Sequence, residues 1–286
     1  MTADTTYQPK TYRRSGGDES VIASGGKLIV EAGGELLCED GTATGAGLSP
    51  LIWSDCPRLQ MLVDPTLGFF IGDNFLTVQA DGFPYELTGA NGTFAALAAQ
   101  VQGVARLSAP GTDNDEAYIA YNDDAAGQIK ADATSDWWFE ARVKPSQIAT
   151  AQGLFVGLAE ETGVGVDFMT DNTMALKVVD YLGFQVIAAT DIAAVWQTVM
   201  ALNGGARVAV SATAATAAAS WTKLGMKSVS GTVTFYVNGA ALSDTVASSA
   251  TNFPLDQVME IVFATKAGTG AANNLDIDWW YAAQLR

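Results

Sequence analysis

The chain contains no histidine. That absence removes the side chain that titrates near neutrality, and with it the Ser-His and Cys-His dyads and the commonest zinc ligand. Cysteine is nearly as scarce: Cys38 and Cys56 are the only two, and no Cys-x-x-Cys spacing occurs. Two reduced thiols are expected of a chain made in a cytoplasm, with one disulfide as the alternative. Basic residues are few, 15 Lys+Arg against 31 Asp+Glu, for a net charge of −16. Such a balance disfavours nucleic acid as a partner, because phosphate binding needs basic patches. No apolar run approaches the roughly 18 residues of a membrane span. The opening MTADTTYQPKTYRR lacks the apolar stretch of a signal peptide, so retention in a cytoplasm is the expectation.

What the chain does have is short-period alternation. In SWTKLGMKSVSGTVTFYVNGAAL (220–242), Val233, Phe235 and Val237 alternate with Thr232, Thr234 and Tyr236, the period of a half-buried strand. Leu224 and Met226 alternate in the same way, with Val229-Ser230-Gly231 as the turn between the runs. Asn238-Gly239 supplies the next turn, since both residues tolerate positive φ. From about residue 66 onward the chain reads as short strands separated by turn signals, the pattern of an all-β two-sheet sandwich. Expected strands are Phe83–Leu87, Val104–Ser108, Ala117–Tyr121, Trp137–Lys144, Gly153–Leu158, Met174–Val179, Gly183–Ala188, Arg207–Ser211, Val258–Ala264 and Asn274–Leu285. Thr93–Val101 and Ile192–Val199 read as short helices, and Ala212–Ser220 as an Ala/Thr-rich loop.

The front of the chain differs. Residues 1–20 form a polar arm in which Lys10, Arg13 and Arg14 are interleaved with Tyr7 and Tyr12, a small basic island on an acidic chain. Such an arm suits an acidic partner surface. Residues 21–65 are a β-repeat and connector. Gly17, Gly25, Gly33 and Gly41 recur every eight residues, and GGKLIVEA aligns with GGELLCED, which places Leu28, Val30 and Leu36 at contact positions. Two or three such units cannot bury their own apolar face. They must pack on the 66–286 domain or on other copies, and a homotrimer is the expected solution. Residues 42–65 read as a connector with some extended structure.

The order WWFEARVKPS, GLFVGLAEE, WTKLGMKSVSGTVTFYVNGAAL, LDIDWWYAAQL resembles the concanavalin A-like (laminin G-type) jelly roll over roughly residues 66–286. The resemblance implies an architecture shared by lectins, glycosidases, adhesion modules and viral coat accessories, not one activity. The opening TYQPKTYRRSGG with its glycine repeat is similar to the openings of tailed-phage head decoration (cement) proteins. That similarity implies a structural virion protein on the capsid surface, with the arm docked on the major capsid protein and the jelly roll displayed outward.

Jelly-roll glycosidases carry a Glu-x-Asp-x-(x)-Glu strand motif. Here Asp276-Ile277-Asp278 is the nearest match, two carboxylates roughly 7 Å apart by strand rise, and Trp279-Trp280 stand where a third acid belongs. Glu260 also lacks a second acid. No catalytic residue is therefore expected. Asp113-Asn114-Asp115-Glu116 and Asn122-Asp123-Asp124 offer dense oxygen donors but not EF-hand spacing, so no metal or cofactor is expected either. Trp138, Tyr236 and Trp280 fall on the outward parity of their strands, as sugar platforms, interface aromatics or residues under loop cover. Glycan binding by an adhesion or fibre module is the alternative function.

Overall fold

The computed structural model describes residues 11–13, 20–22, 47–78, 84–89, 91–97, 103–121, 127–146, 152–160, 167–171, 173–177, 180–187, 195–203, 206–216, 219–268 and 272–286. The chain divides into two compact units, Met1–Glu39 and Asp40–Arg286. In the first, β1 (Thr11–Arg13) and β2 (Ser20–Ile22) pair antiparallel, Tyr12 opposite Val21 and Arg13 opposite Ser20. Tyr7, Lys10, Arg14, Leu28, Val30, Leu36 and Cys38 lie outside the described residues.

The second unit opens with two short helices, α1 (Pro50–Trp53) and α2 (Arg58–Val63). Its strands follow: β3 (Gly68–Asp73), β4 (Tyr85–Thr88), β5 (Thr93–Ala96), β6 (Ala105–Ala109), β7 (Glu116–Tyr121), β8 (Ile129–Ala131), β9 (Trp137–Pro145) and β10 (Gln152–Ala159). After these come β11 (Tyr181–Ile187), β12 (Val195–Ala201), β13 (Val208–Thr216), β14 (Thr222–Val229), β15 (Thr232–Val237), β16 (Ala240–Ala247), β17 (Gln257–Ala267) and β18 (Asn273–Leu285). They form two antiparallel eight-stranded sheets. Sheet I runs β13-β12-β11-β10-β17-β7-β4, with β8 also on β17; sheet II runs β16-β15-β14-β9-β18-β6-β5, with β3 also on β18.

The alternation expected of the central hairpin is what orients sheet II. Val233, Phe235 and Val237 turn inward, and the Phe235 ring meets Phe184 of sheet I edge to face at 5.8 Å. Trp137, Phe139, Ala141 and Val143 of β9 join the same core. Each fully buried Phe or Leu adds roughly 1.5–3 kcal/mol to stability, so the paired inner faces are the main source of cohesion. Ser230-Gly231 and Asn238-Gly239 both take positive φ, 51° and 72°, then 51° and 80°, as tight turns with right-handed strand twist require.

Several expectations change. Thr93–Ala96 and Val195–Ala201 are strands, not helices: Thr93–Ala96 pair with β6, and in β12 Gln197–Ala201 pair with β11 while Val195 and Trp196 pair with β13. Tertiary pairing overrides weak local preference there. Strand β13 runs through Thr216, into the stretch read as a loop. Of the strand expected over Met174–Val179, the described residues 174–177 hold only an isolated bridge, Met169 with Leu176. The segment expected to be extended before residue 65 folds as α1 and α2, started by Pro50, whose fixed φ suits the first helical position.

Strand β18 departs from strict alternation in a way that matters for the site. Opposite β9, Ile277 pairs with Val143 and Trp279 with Arg142, leaving Asp278 as the extra residue of a β-bulge. Leu275 and Ile277 point into the core, but beyond the bulge the parity flips. Trp280 and Ala282 enter the core, while Trp279 and Tyr281 face outward. The outward placement expected of Trp280 is thereby corrected. Its indole N–H donates to the Tyr85 hydroxyl at 2.8 Å, and Tyr85 donates in turn to Asp73 at 2.9 Å.

Candidate binding site

The outer face of sheet II is covered over one half and open over the other. The cover is residues 48–63. Glu140, fully buried on β9, accepts the Ser49 backbone N–H at 2.9 Å, the Ser49 hydroxyl and the Trp53 indole N–H at 2.8 Å. Trp138 donates to Asp55 at 2.8 Å, and Lys227 reaches both Asp55 and the Leu51 carbonyl. Burial pushes the Glu140 carboxyl above the usual range, against the pull of Ser49, Trp53 and Lys223. Ile52, Trp53, Cys56 and Met61 close an apolar cluster over Trp138, Tyr236 and Ala283. Gly225 makes this approach possible, since a Cβ there would lie 2.4 Å from the Ile52 Cδ1. Trp138 and Tyr236 do carry outward parity, yet only 1% and 5% of each is exposed beneath the cover. Neither can serve as an open platform.

Beside the cover lies a hollow of about 680 Å³. Phe70 and Tyr281, both half-buried, form its aromatic floor, stacked at 5.5 Å with an interplanar angle of 11°. Trp279 stands 5.9 Å from Tyr281, tilted 49°, and Trp53 meets Phe70 edge-on from under the cover at 5.7 Å. The rim carries Arg58, Asn74 and Asp278, with Leu48 and Leu76 as apolar walls. Flat rings ringed by directional polar groups can hold a ligand that is apolar on its faces and polar on its edges.

Past the hollow, the open half of sheet II carries a row of ion pairs. Arg106 of β6 grips Asp276 through two nitrogens, at 2.6 and 3.0 Å, and Lys144 of β9 adds a third contact at 3.3 Å. Arg142 pairs with Asp278. The Arg142 guanidinium and the Lys144 ammonium both sit over the Trp221 ring, 4.5 and 5.1 Å from its centroid. The Asp276-x-Asp278 pair is therefore not solvated as an exposed strand face would be: Asp276 has no exposed side-chain surface, and cations hold both carboxylates. Neither is arranged to flank a scissile bond with free oxygens.

Sheet I has its own cover. Glu116 of β7 and Lys266 of β17, both fully buried, pair at 3.1 Å, and Lys266 also reaches Asp171 at 3.0 Å. Glu116 accepts the backbone N–H groups of Phe168 and Met169, and Lys266 donates to the Met169 carbonyl at 2.9 Å. This seats Phe168, Met169 and Met174 against Phe155, Tyr181 and Val199. Burial raises the Glu116 pKa against the pull of Lys266. Lys266 also lies above its usual value, because Glu116 and Asp171 outweigh its own burial.

The acidic stretch 113–116 is used structurally. Asp115 accepts the Thr112 N–H at 3.1 Å, Asn114 takes φ 70°, and Glu116 is committed to Lys266. Asn122-Asp123-Asp124 lies outside the described residues. Among the described residues no three of His, Cys, Asp or Glu are grouped to hold a metal ion. Sequence reasoning did not single out Phe70, Tyr281, Trp279 and Trp221 as a group. The aromatic run GFFIGD in β3 was the one local signal; the bulge at Asp278 has none.

No family model matches the sequence, and no curated protein matches it either. Solved structures do match in fold. A peanut lectin with a bound 9mer peptide aligns at TM-score 0.53 and 15% identity, covering 77% of this chain and 98% of the lectin. A glycoside hydrolase family 16 endo-glucanase from Bacteroides ovatus aligns at 0.51 and 11%, covering 73% and 98%. The lectin UEA-II, complexed with galactose, aligns at 0.50 and 10%, covering 76% and 98%. The second unit is thus an all-β, concanavalin A-like jelly-roll sandwich. Lectins and glycoside hydrolases both use this architecture, so the likeness defines the fold and leaves the activity to the site.

Proposed function

We propose that the sandwich is a carbohydrate-binding module and that the hollow beside α2 is its sugar site. The supporting observation is the Phe70–Tyr281 stack, partly exposed and floored into a hollow whose rim carries Arg58, Asn74 and Asp278. A pyranose presents C–H groups on its faces and hydroxyls around its edge. It would lie on the rings and exchange hydrogen bonds with the rim. The reading is of binding without turnover, since Asp276 and Asp278 are each occupied by cations. Glycan-array screening followed by calorimetry tests it. Tyr281→Ala should reduce affinity at least tenfold, about 1.4 kcal/mol, with the fold retained. A Tyr281→Ala protein that binds every hit as tightly as the unmodified chain rules the hollow out.

A second reading, the capsid decoration role, draws on a different surface. Leu59, Leu62 and Val63 of α2 are 79%, 64% and 86% exposed, an apolar strip of the kind that docking interfaces bury. Under this reading the arm of residues 1–20, with Tyr12 and Arg13 in β1, docks on a major capsid protein and copies of the chain associate, as a trimer, on the virion surface. Removing residues 1–20 should abolish capsid binding while the sandwich stays folded.

A further inference from the structure

The ion-pair row on the open half of sheet II is asymmetric in depth. Its acids are sunk: the Asp276 side chain is 0% exposed and that of Asp278 13%. Its bases lie above them: Arg106 is 35%, Lys144 31% and Arg142 21% exposed. Three cations over two carboxylates leave one unit of positive charge, and the positive members are the ones solvent meets. Arg106, Arg142 and Lys144 share this part of the sheet face, in a chain with only 15 basic residues and a net charge of −16. Asp278 belongs to both features: it lines the hollow and pairs with Arg142. The row is therefore continuous with the aromatic floor.

Holding two cations over one indole is itself a directional arrangement. The Trp221 ring holds both the Arg142 guanidinium and the Lys144 ammonium, and Asp278 and Asp276 hold the same two cations from the sheet. Pre-set donors of this kind favour an anion with two oxygens, because little ordering remains to be done on binding.

We infer that the Arg106–Lys144–Arg142 row receives the carboxylate of an acidic sugar, a uronic acid residue, while a neighbouring ring of the same oligosaccharide stacks on Phe70 and Tyr281. This rests on the carbohydrate-binding reading and narrows it to anionic glycans. The half-exposed cations of the row also favour encounter with an anionic chain, an attraction that salt screens.

The test is calorimetric titration of the full chain with three probes: a galacturonic acid trisaccharide, its carboxyl-reduced neutral counterpart, and inorganic phosphate. Each is measured at low and at near-physiological ionic strength. The acidic trisaccharide should bind at least ~10-fold tighter than the neutral one at low salt, as a charge-assisted hydrogen bond implies, and lose part of that margin as salt rises. Lys144→Gln leaves Asp276 held by Arg106; it should remove most of the acidic preference, weakening the acidic trisaccharide far more than the neutral one. Tyr281→Ala should weaken both sugars. Equal affinity for the acidic and neutral trisaccharides at low salt overturns the inference while leaving the sugar site standing. Phosphate binding as tight as the uronate reduces the row to a plain ion site and overturns it too. Binding of neither sugar removes both this inference and the reading it rests on.

Discussion

Glu140 accepts the backbone N–H of Ser49, a residue 91 positions earlier in the chain, at 2.9 Å in a fully buried setting. One carboxylate thus anchors Ser49, the residue before α1, holds the Trp53 indole and fixes the cover on the outer face of sheet II. Glu116 does the corresponding job on sheet I with the N–H groups of Phe168 and Met169. In both places a strand-borne acid replaces the pairing that a non-repetitive cover cannot give its own backbone.

Removing the Glu140 clamp should release the cover before it melts the sandwich. Glu140→Ala leaves the Ser49 and Trp53 donors buried and unpaired, at a cost of about 1–3 kcal/mol for each. Native-state hydrogen exchange should show lost protection at Ile52 and Trp53, with β15 and β17 little changed. Uniform loss of protection across all three regions would contradict a separable cover.

The same group sets a pH dependence. Burial raises the folded-state pKa of Glu140, as it does that of Glu116, above the ordinary glutamate value of 4.5. The folded chain then holds these protons more tightly than the unfolded chain does. Their stabilising contribution is fully present below about pH 4.5 and is lost as pH rises through the folded-state value. The melting temperature should therefore fall as pH is raised above 4.5. Glu140→Gln should have a shallower slope over that window. Asp64, Asp132 and Asp167, whose pKa values are lowered, act in the opposite sense only below their ordinary 3.8.

Cys56 is a free thiol beneath the cover, and burial pushes its pKa up to about 12. Because the thiolate is the reactive form, Cys56 should resist a colourimetric thiol reagent at pH 8 in the native protein and react at once in denaturant. In Gly225→Ala the added methyl meets Ile52 and shifts α1 outward. Cys56 labelling should speed up in that variant while the core melts at nearly the same temperature.

Two neighbouring aromatics on β18 should give opposite phenotypes. Trp280 fills the core, so Trp280→Ala should cost roughly 3–5 kcal/mol and report on folding. Tyr281 faces the hollow, so Tyr281→Ala should change melting by little and ligand affinity by much. Paired thermal melts and calorimetry on the two variants separate the roles. A large loss of stability in Tyr281→Ala with intact binding would reverse the assignment.

The sheets were readable from the chain because burial on one face imprints a period of two, and because Ser230-Gly231 and Asn238-Gly239 admit the backbone their turns need. The short helices read over Thr93–Val101 and Ile192–Val199 are strands where the chain is described, because that state comes from register with β6 and β11, which a short window does not show. The site was less legible. Trp138 and Tyr236 have the outward parity expected of platforms, but the cover that hides them comes from residues 48–63, far away in sequence. Trp280 was assigned to the wrong side because a single-residue bulge carries no compositional mark. Arg142, Lys144 and Trp221 converge only once β9 and β14 are laid edge to edge.

The unmatched position at Asp278 acts as a phase switch for the last strand. Flattening the bulge with Asp278 kept in the ladder would impose an unbroken rhythm from Leu275 to the carboxyl end, drive Trp279 and Tyr281 inward and expel Trp280 to the surface. The hollow's floor would be dismantled without touching any residue that forms its floor. Ligand-contacting chemistry and interior chemistry are written here on alternate letters of one strand, and a single pause in the count tells the chain which is which.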